Sequence, residues 1–251
     1  MSTERILVNA KVADQFRQVL AGTIDAVFPD KNGLVMIDKA PVTKNASLVQ
    51  DAVSKGAKAI YGDPSDKREL ATAMRPVVIE GVKDGMDMYY QESFGPTVSL
   101  FIVENDEEAI KIANDTDYGL ASSVFTENLQ RGLKIAKQIE TGAVHINSMS
   151  VHDEASLPHG GAKKSGFGRF NGEEGLKEWV RLKVSITVTT SRTLANITDR
   201  PSHGRTNTLH WNAFSPVASH TDLKIPMHFE PQYSVHVSTF VACTSKTTAC
   251  I

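Results

Sequence analysis

A carboxylate, an aromatic ring and a rigid corner stand together in Gln91-Glu92-Ser93-Phe94-Gly95-Pro96, immediately before the apolar run Thr97 to Val103. Loops at strand ends carry sites because a rigid scaffold holds them in place. Glu92 can offer two acceptor oxygens to sugar hydroxyls, and Phe94 can offer its ring to another ring. A solvated acid at a strand-entry turn accounts for the same residues equally well. Gly160, Gly161, Gly166 and Gly168, beside Lys163-Lys164-Ser165, suggest a phosphate cradle, since backbone amides approach an anion closely where there is no Cβ. The spacing argues against it: Asn171 stands where the third glycine of G-x-G-x-x-G belongs, no strand leads directly in, and the P-loop glycine is missing. A series of glycine-permissive turns is the better reading.

His152-Asp153-Glu154 sets three ligating residue types side by side. Adjacent side chains diverge, and metal sites use wider spacings, so no metal is expected there. As a base and its orienter the pair lacks a serine or cysteine that the sequence places beside it. The two cysteines, Cys243 and Cys250, lie in a Ser/Thr-rich stretch with nothing to promise the electropositive pocket that activates a thiol. They read as unpaired thiols, and residue spacing alone assigns no catalytic residue.

The elements that must position these residues follow from periodicity. Arg5 to Val8 reads as a buried strand, and Asn9 can cap a helix carrying Val12, Phe16, Leu20, Ile24 and Val27 at near-helical spacing. A second helix is expected from about Thr43 to Lys55, with Ala46, Val49 and Val53 on its buried side and Gly56 as its left-handed cap. Further strands are expected at residues 57–61, 76–79, 97–103, 120–125 and 143–147, the third of these nearly all apolar, as for a strand covered on both faces. Asn105 and Glu108 have capping-box spacing, and Thr126 is expected to cap a helix burying Leu129, Leu133, Ala136 and Ile139. Residues 148–175 read as a long glycine-rich loop, followed by a short amphipathic helix with Leu176 and Trp179 and a strand over 182–188. This alternation defines an α/β fold, an open and mostly parallel sheet with flanking helices over residues 1–189. From Thr190 to Ile251 the periodicity ends, and an irregular tail is expected, within which residues near Val235 could pair as a strand.

Composition narrows the function classes. The 251 residues are enough for a core that needs no disulfides. A net charge of −2 supplies no positive field, so neither nucleic acid nor an anionic membrane is an expected partner. The start, MSTERILVNA, lacks a signal-like basic and apolar sequence, and no apolar run reaches the roughly 20 residues of a membrane span. A cytoplasmic location is expected.

The ordered series ERILV, ESFGP with TVSLFIV, NDTDYGLASSVFT, GAVHIN and HDEASLPHGGAKKSGFGRFNGEEGL resembles the C-terminal part of the NAD(P)-dependent aldehyde dehydrogenase superfamily, across residues 1 to about 188. The HDE segment and the glycine pattern after it are most similar to the salicylaldehyde and vanillin dehydrogenase branch, which oxidises aromatic aldehydes. The resemblance implies that Glu92 contacts the nicotinamide-side ribose and that Phe94 packs near the nicotinamide. It implies that His159, where the family carries an apolar ring, and His152 just before it line the substrate tunnel. NAD or NADP is the family's cofactor, though binding by this chain alone is not expected.

The resemblance also implies that the family's nucleophilic cysteine falls just before Met1. The general-base glutamate, the oxyanion-hole asparagine and the dinucleotide-binding domain likewise have no counterpart in these residues. The expectation is therefore a partial catalytic domain over 1–189, inactive alone, with an open sheet edge and a 190–251 tail foreign to the family. A product that extends further upstream and acts as a dehydrogenase is the enzymatic alternative. A module that self-associates or docks onto a full-length relative through residues 182–188 is the non-enzymatic one.

Overall fold

The computed structural model describes residues 2–29, 33–63, 65, 69–186 and 237–242, the last as backbone only. In chain order the elements are β1 (Ser2–Asn9), α1 (Ala13–Val27), β2 (Leu34–Val35), α2 (Lys39–Ser54), β3 (Lys58–Tyr61), β4 (Ala73–Met74) and β5 (Val77–Glu80). There follow α3 (Asp87–Tyr90), β6 (Thr97–Val103), α4 (Asp106–Asn114), β7 (Tyr118–Gly119), β8 (Ala121–Phe125) and α5 (Leu129–Ala136). The series ends with β9 (Ala143–Ile146), β10 (Ala162–Lys163), α6 (Gly172–Lys177) and β11 (Val237–Ala242).

Seven strands form one sheet in the order β3-β5-β6-β1-β11-β8-β9. Only the β3 and β5 pair runs antiparallel, so the sheet is mostly parallel, as expected. Side chains alternate across a strand, and this divides the core between the two faces. Leu7, Val77, Ile79, Phe101 and Val103 pack beneath α2, α4 and α5, while Val8, Val78 and Leu100 pack with Ala13 and Ile24 of α1. Each such side chain, fully withdrawn from water, contributes about 1.5 to 3 kcal/mol. The run Thr97 to Val103 is apolar on both faces because both are covered.

Several elements differ from expectation in their bounds or faces. Helix α2 starts at Lys39, four residues before the predicted Thr43, and is capped by Asp38, whose side chain accepts the Ala40 N–H at 2.6 Å. The buried face of α2 is Asn45, Leu48, Val49 and Ala52, with Val53 exposed. Asn128, not Thr126, caps α5, which buries Gly132 and Ile135 and leaves Leu129 and Leu133 exposed. Gly132 faces inward because an added Cβ would come within 2.9 Å of Thr126, so the backbone itself packs there. The predicted cap at Asn105 is present, with Glu108 reaching back to the Glu104 N–H at 2.8 Å.

The strand expected over 182–188 is not formed in residues 182–186, where Leu182 is 96% exposed and Ile186 84%; residues 187 and 188 lie outside the described residues. Leu176 and Trp179 are exposed rather than buried. Most of the expected 190–251 tail lies outside the described residues, and so do Cys243 and Cys250. Its described part is the strand that residues near Val235 were expected to allow: β11 is inserted between β1 and β8, parallel to both, with Ile6 opposite Phe240 and Val124 opposite Val241. Strand β1 is therefore paired on both sides, by β6 and by a later segment of the same chain.

Candidate active site

The turn that joins α3 to β6 carries both Glu92 and Phe94, and two distant elements grip it. From β1, Glu4 accepts the Ser93 N–H at 2.8 Å and the Phe94 N–H at 3.0 Å. The Ser93 and Ser2 hydroxyls also lie 3.0 Å from the Glu4 Oε1. From α2, the fully buried Asn45 donates to the carbonyls of Ser93 and Pro41, each at 2.9 Å. Gly95 lies against this asparagine, and a Cβ at Gly95 would fall 2.4 Å from Nδ2, so no larger residue fits without displacement. Phe94 has φ +49°, a left-handed conformation that a bulky residue adopts only when its surroundings over-determine it. The bonds from Glu4 and Asn45 supply that constraint.

The turn places its two candidate groups in different surroundings. Glu92 is half-buried and borders a cavity of about 20 Å³, lined also by Glu4, Arg5, Tyr89 and Tyr118. That volume admits about one water. Burial pushes the Glu92 carboxyl up to about 7, with the negative charge of Glu4 adding and Lys44 opposing. Phe94 instead borders an apolar groove of about 440 Å³ with Leu20, Ile24, Phe28, Met36 and Val98. The Lys44 Nζ stands 5.9 Å from its ring centroid, at the outer limit of a cation-π contact.

Arg5, one residue beyond Glu4, braces the cavity from behind. Its guanidinium donates to the carbonyls of Ile112, at 2.7 Å, and Tyr89, and lies over the rings of Tyr89 and Phe101. Desolvation, with Asp115 accepting its hydroxyl at 2.7 Å, pushes the Tyr89 phenol to about 12.

The two histidines lie in the loop after β9. His159 is buried, exchanging both backbone hydrogen bonds with Phe170 at 2.8 Å, its ring centroid 5.0 Å from that phenyl ring. His152 is exposed, and its Nε2 meets the Glu154 carboxylate at 3.0 Å. Neither borders the cavities beside Glu92 and Phe94. Gly142 lets the loop close upon the entry to β9, since a Cβ there would fall 1.7 Å from the Gly160 carbonyl oxygen, and a Cβ on Gly160 would fall 2.5 Å from the Gly168 carbonyl oxygen. These glycines serve close backbone packing, the turn reading given above.

Sequence reasoning found Glu92 and Phe94 but missed Glu4, Asn45 and Ser93, which hold them. The signal for Asn45 was its place at i, with Leu48, Val49 and Ala52 at i+3, i+4 and i+7, a polar residue on an apolar face. Glu4 carried no comparable signal, because its partners lie some ninety residues away.

The parallel sheet, its crossover helices and this turn define an α/β domain with a braced loop at the entry to a central strand. The sequence profile of the aldehyde dehydrogenase family matches residues 1–185, and the chain belongs to that family. Vanillin dehydrogenase of Pseudomonas fluorescens is 35% identical over 189 residues, 73% of this chain and 38% of that protein. Salicylaldehyde dehydrogenase of Pseudomonas putida is 34% identical over 195 residues, with the same two coverages. Among solved structures, salicylaldehyde dehydrogenase from Pseudomonas putida G7 complexed with salicylaldehyde superposes with a TM-score of 0.65 at 30% identity, covering 75% of this chain and 40% of that one. Succinic semialdehyde dehydrogenase from Streptococcus pyogenes, in complex with NADP+, gives 0.65 at 30% identity, covering 71% and 40%. The chain thus spans less than half the length of the relatives it matches.

Proposed function

We propose that this chain supplies the nicotinamide-facing wall of an NAD(P)-dependent site for oxidising aromatic aldehydes, with Glu92 on the ribose and Phe94 on the nicotinamide. The observation that carries this reading is the braced turn, which presents a carboxyl on one side and a partly exposed ring on the other. These residues fit such a cofactor: the carboxyl can accept from hydroxyls, and the ring offers an apolar face. When bound, the nicotinamide supplies the hydride acceptor. The chain's own part is to orient it and exclude water from one side. The likeness to vanillin and salicylaldehyde dehydrogenases supports an aromatic substrate. His152 and His159 are assigned to the substrate side in this reading, with His159 held by Phe170.

Turnover in this family's chemistry needs a thiolate to add to the aldehyde. The two cysteines of the sequence, Cys243 and Cys250, lie beyond the family match, which ends at residue 185; the isolated chain is assigned weak contact with the cofactor, short of the stable binding not expected of it, and no turnover. Losing the nucleophile of a serine protease costs on the order of 10⁶ in rate. Saturation-transfer NMR with NAD+ and NADP+ tests the binding clause. Transfer to nicotinamide protons that disappears in Phe94→Ala is expected, and its absence in the unsubstituted chain overturns the reading. Formation of NADH from vanillin or salicylaldehyde by the purified chain overturns the second clause.

A second reading is favoured by the exposure of Leu182, Val184 and Ile186. It is self-association or docking onto a full-length aldehyde dehydrogenase through residues 182–188. Replacing Leu182 and Ile186 by Lys is expected to abolish co-elution with such a partner in size-exclusion chromatography. Co-elution that survives both substitutions removes this reading.

A further inference from the structure

Among the described residues, Glu4 stands apart from the other carboxylates in what it binds. Its acceptors collect two consecutive backbone amides, Ser93 N at 2.8 Å and Phe94 N at 3.0 Å, together with the hydroxyls of Ser93 and Ser2. The adjacent cation, Arg5, is turned away to the Ile112 and Tyr89 carbonyls. A carboxylate that receives several N–H donors converts its charge into a fixed backbone geometry, because each bond is directional and stronger than a neutral one. The geometry it fixes is unusual: Ser93 is buried, and Phe94 is left-handed.

We propose that Glu4 is a positioning residue for the nicotinamide-facing turn: by gathering the Ser93 and Phe94 amides it sets where the Glu92 carboxyl and the Phe94 ring point. The functional half of this inference rests on the cofactor reading above, while the structural half stands without it. Asn45 alone does not supply the same restraint. It holds the Ser93 carbonyl, on the same peptide whose Phe94 N–H Glu4 accepts, whereas the preceding Glu92–Ser93 peptide is held through its N–H by Glu4. Glu4 also acts electrically, since its charge adds to the burial that raises Glu92, while Lys44 of α2 opposes it. Arg5 of β1, Tyr89 and Tyr90 of α3, and Tyr118 of β7 complete the ionisable groups around the cavity. Burial likewise raises the Glu4 carboxyl, and the amide bonds from Ser93 and Phe94 resist that rise.

The test is NMR of the full chain and of Glu4→Gln, which keeps the shape but turns an amide donor toward N–H groups. Three results are expected in the variant. The Ser93 and Phe94 amides move upfield, their hydrogen exchange speeds up by about ten-fold or more, and Glu92 titrates at a lower pH because a like charge is gone. A residue that merely filled space would leave the Glu92 midpoint in place. Unchanged amides, or an unchanged Glu92 midpoint, overturn the proposal. Should Glu4→Gln not fold, the unsubstituted chain decides: the Ser93 and Phe94 amide shifts must both follow the titration of the Glu4 side chain, and shifts that ignore it overturn the proposal. Saturation transfer to NAD+ separates the two claims. No transfer in the unsubstituted chain defeats the cofactor reading and leaves the amide results to judge Glu4. Transfer that is equal in Glu4→Gln and the unsubstituted chain defeats the positioning role.

Discussion

Glu92 gives the clearest expectation for a single residue. Its carboxyl is raised from 4.5 to about 7 in the fold, so between those values the folded chain binds more protons than the unfolded one. Stability should then fall as pH rises through that window and level off above it. Glu92→Gln should remove this slope and be the more stable form at about pH 8. Urea midpoints measured across the window check it, and parallel curves for the two proteins would show the shift to be absent. Gly95→Ala should cost about 1 to 3 kcal/mol, the range for forcing an extra carbon into packed surroundings, because Asn45 is in the way. The cost should shrink in the double variant with Asn45→Ala, since residues in contact do not behave additively. At this scale the candidate site was half legible. Glu92 and Phe94 announced themselves through a compact motif, whereas Glu4 and Asn45 matter only through contacts that folding creates. Long-range pairing of polar groups leaves no periodic trace.

Secondary elements were legible where one periodicity dominated. The strand Thr97 to Val103 and the cap at Asn105 stand where spacing put them. Helix α5 shows the limit: its leucines repeat at helical spacing, yet it turns Gly132 to the sheet, because close approach of the backbone to Thr126 and Ile146 outweighs burying Leu129 and Leu133. The segment β11 was legible only as a short run of strand-forming residues, and its destination was not, because nothing local names β1 and β8 as partners. A proline there would remove an N–H from a ladder bounded on both sides. Thr239→Pro should strip hydrogen-exchange protection from peptides covering β1 and β8 while sparing β3 and β5. Uniform protection would show that β11 is dispensable to its neighbours.

Over the whole molecule, residues 1–186 provide six of the strands in the main sheet, and the seventh comes from Val237–Ala242. The family match ends at residue 185, so that seventh strand lies beyond the matched region. No described helix is long and apolar enough to cross a membrane, and Phe167 and Trp179 are the most exposed aromatic side chains on the surface described.

Ser2 pairs with Val237, so closing the middle of the sheet joins residues from opposite ends of the sequence. Bringing such distant points together costs about 5 kcal/mol of chain entropy by the logarithmic loop law, and contacts of this kind slow folding. A nascent chain that has emerged only as far as Ile186 would carry β1 and β8 as bare edges, each a template for the wrong neighbour. Recovery from denaturant should accordingly be slow and worsen with protein concentration, because the latest of the seven strands in the sequence sits inside the sheet rather than at its edge.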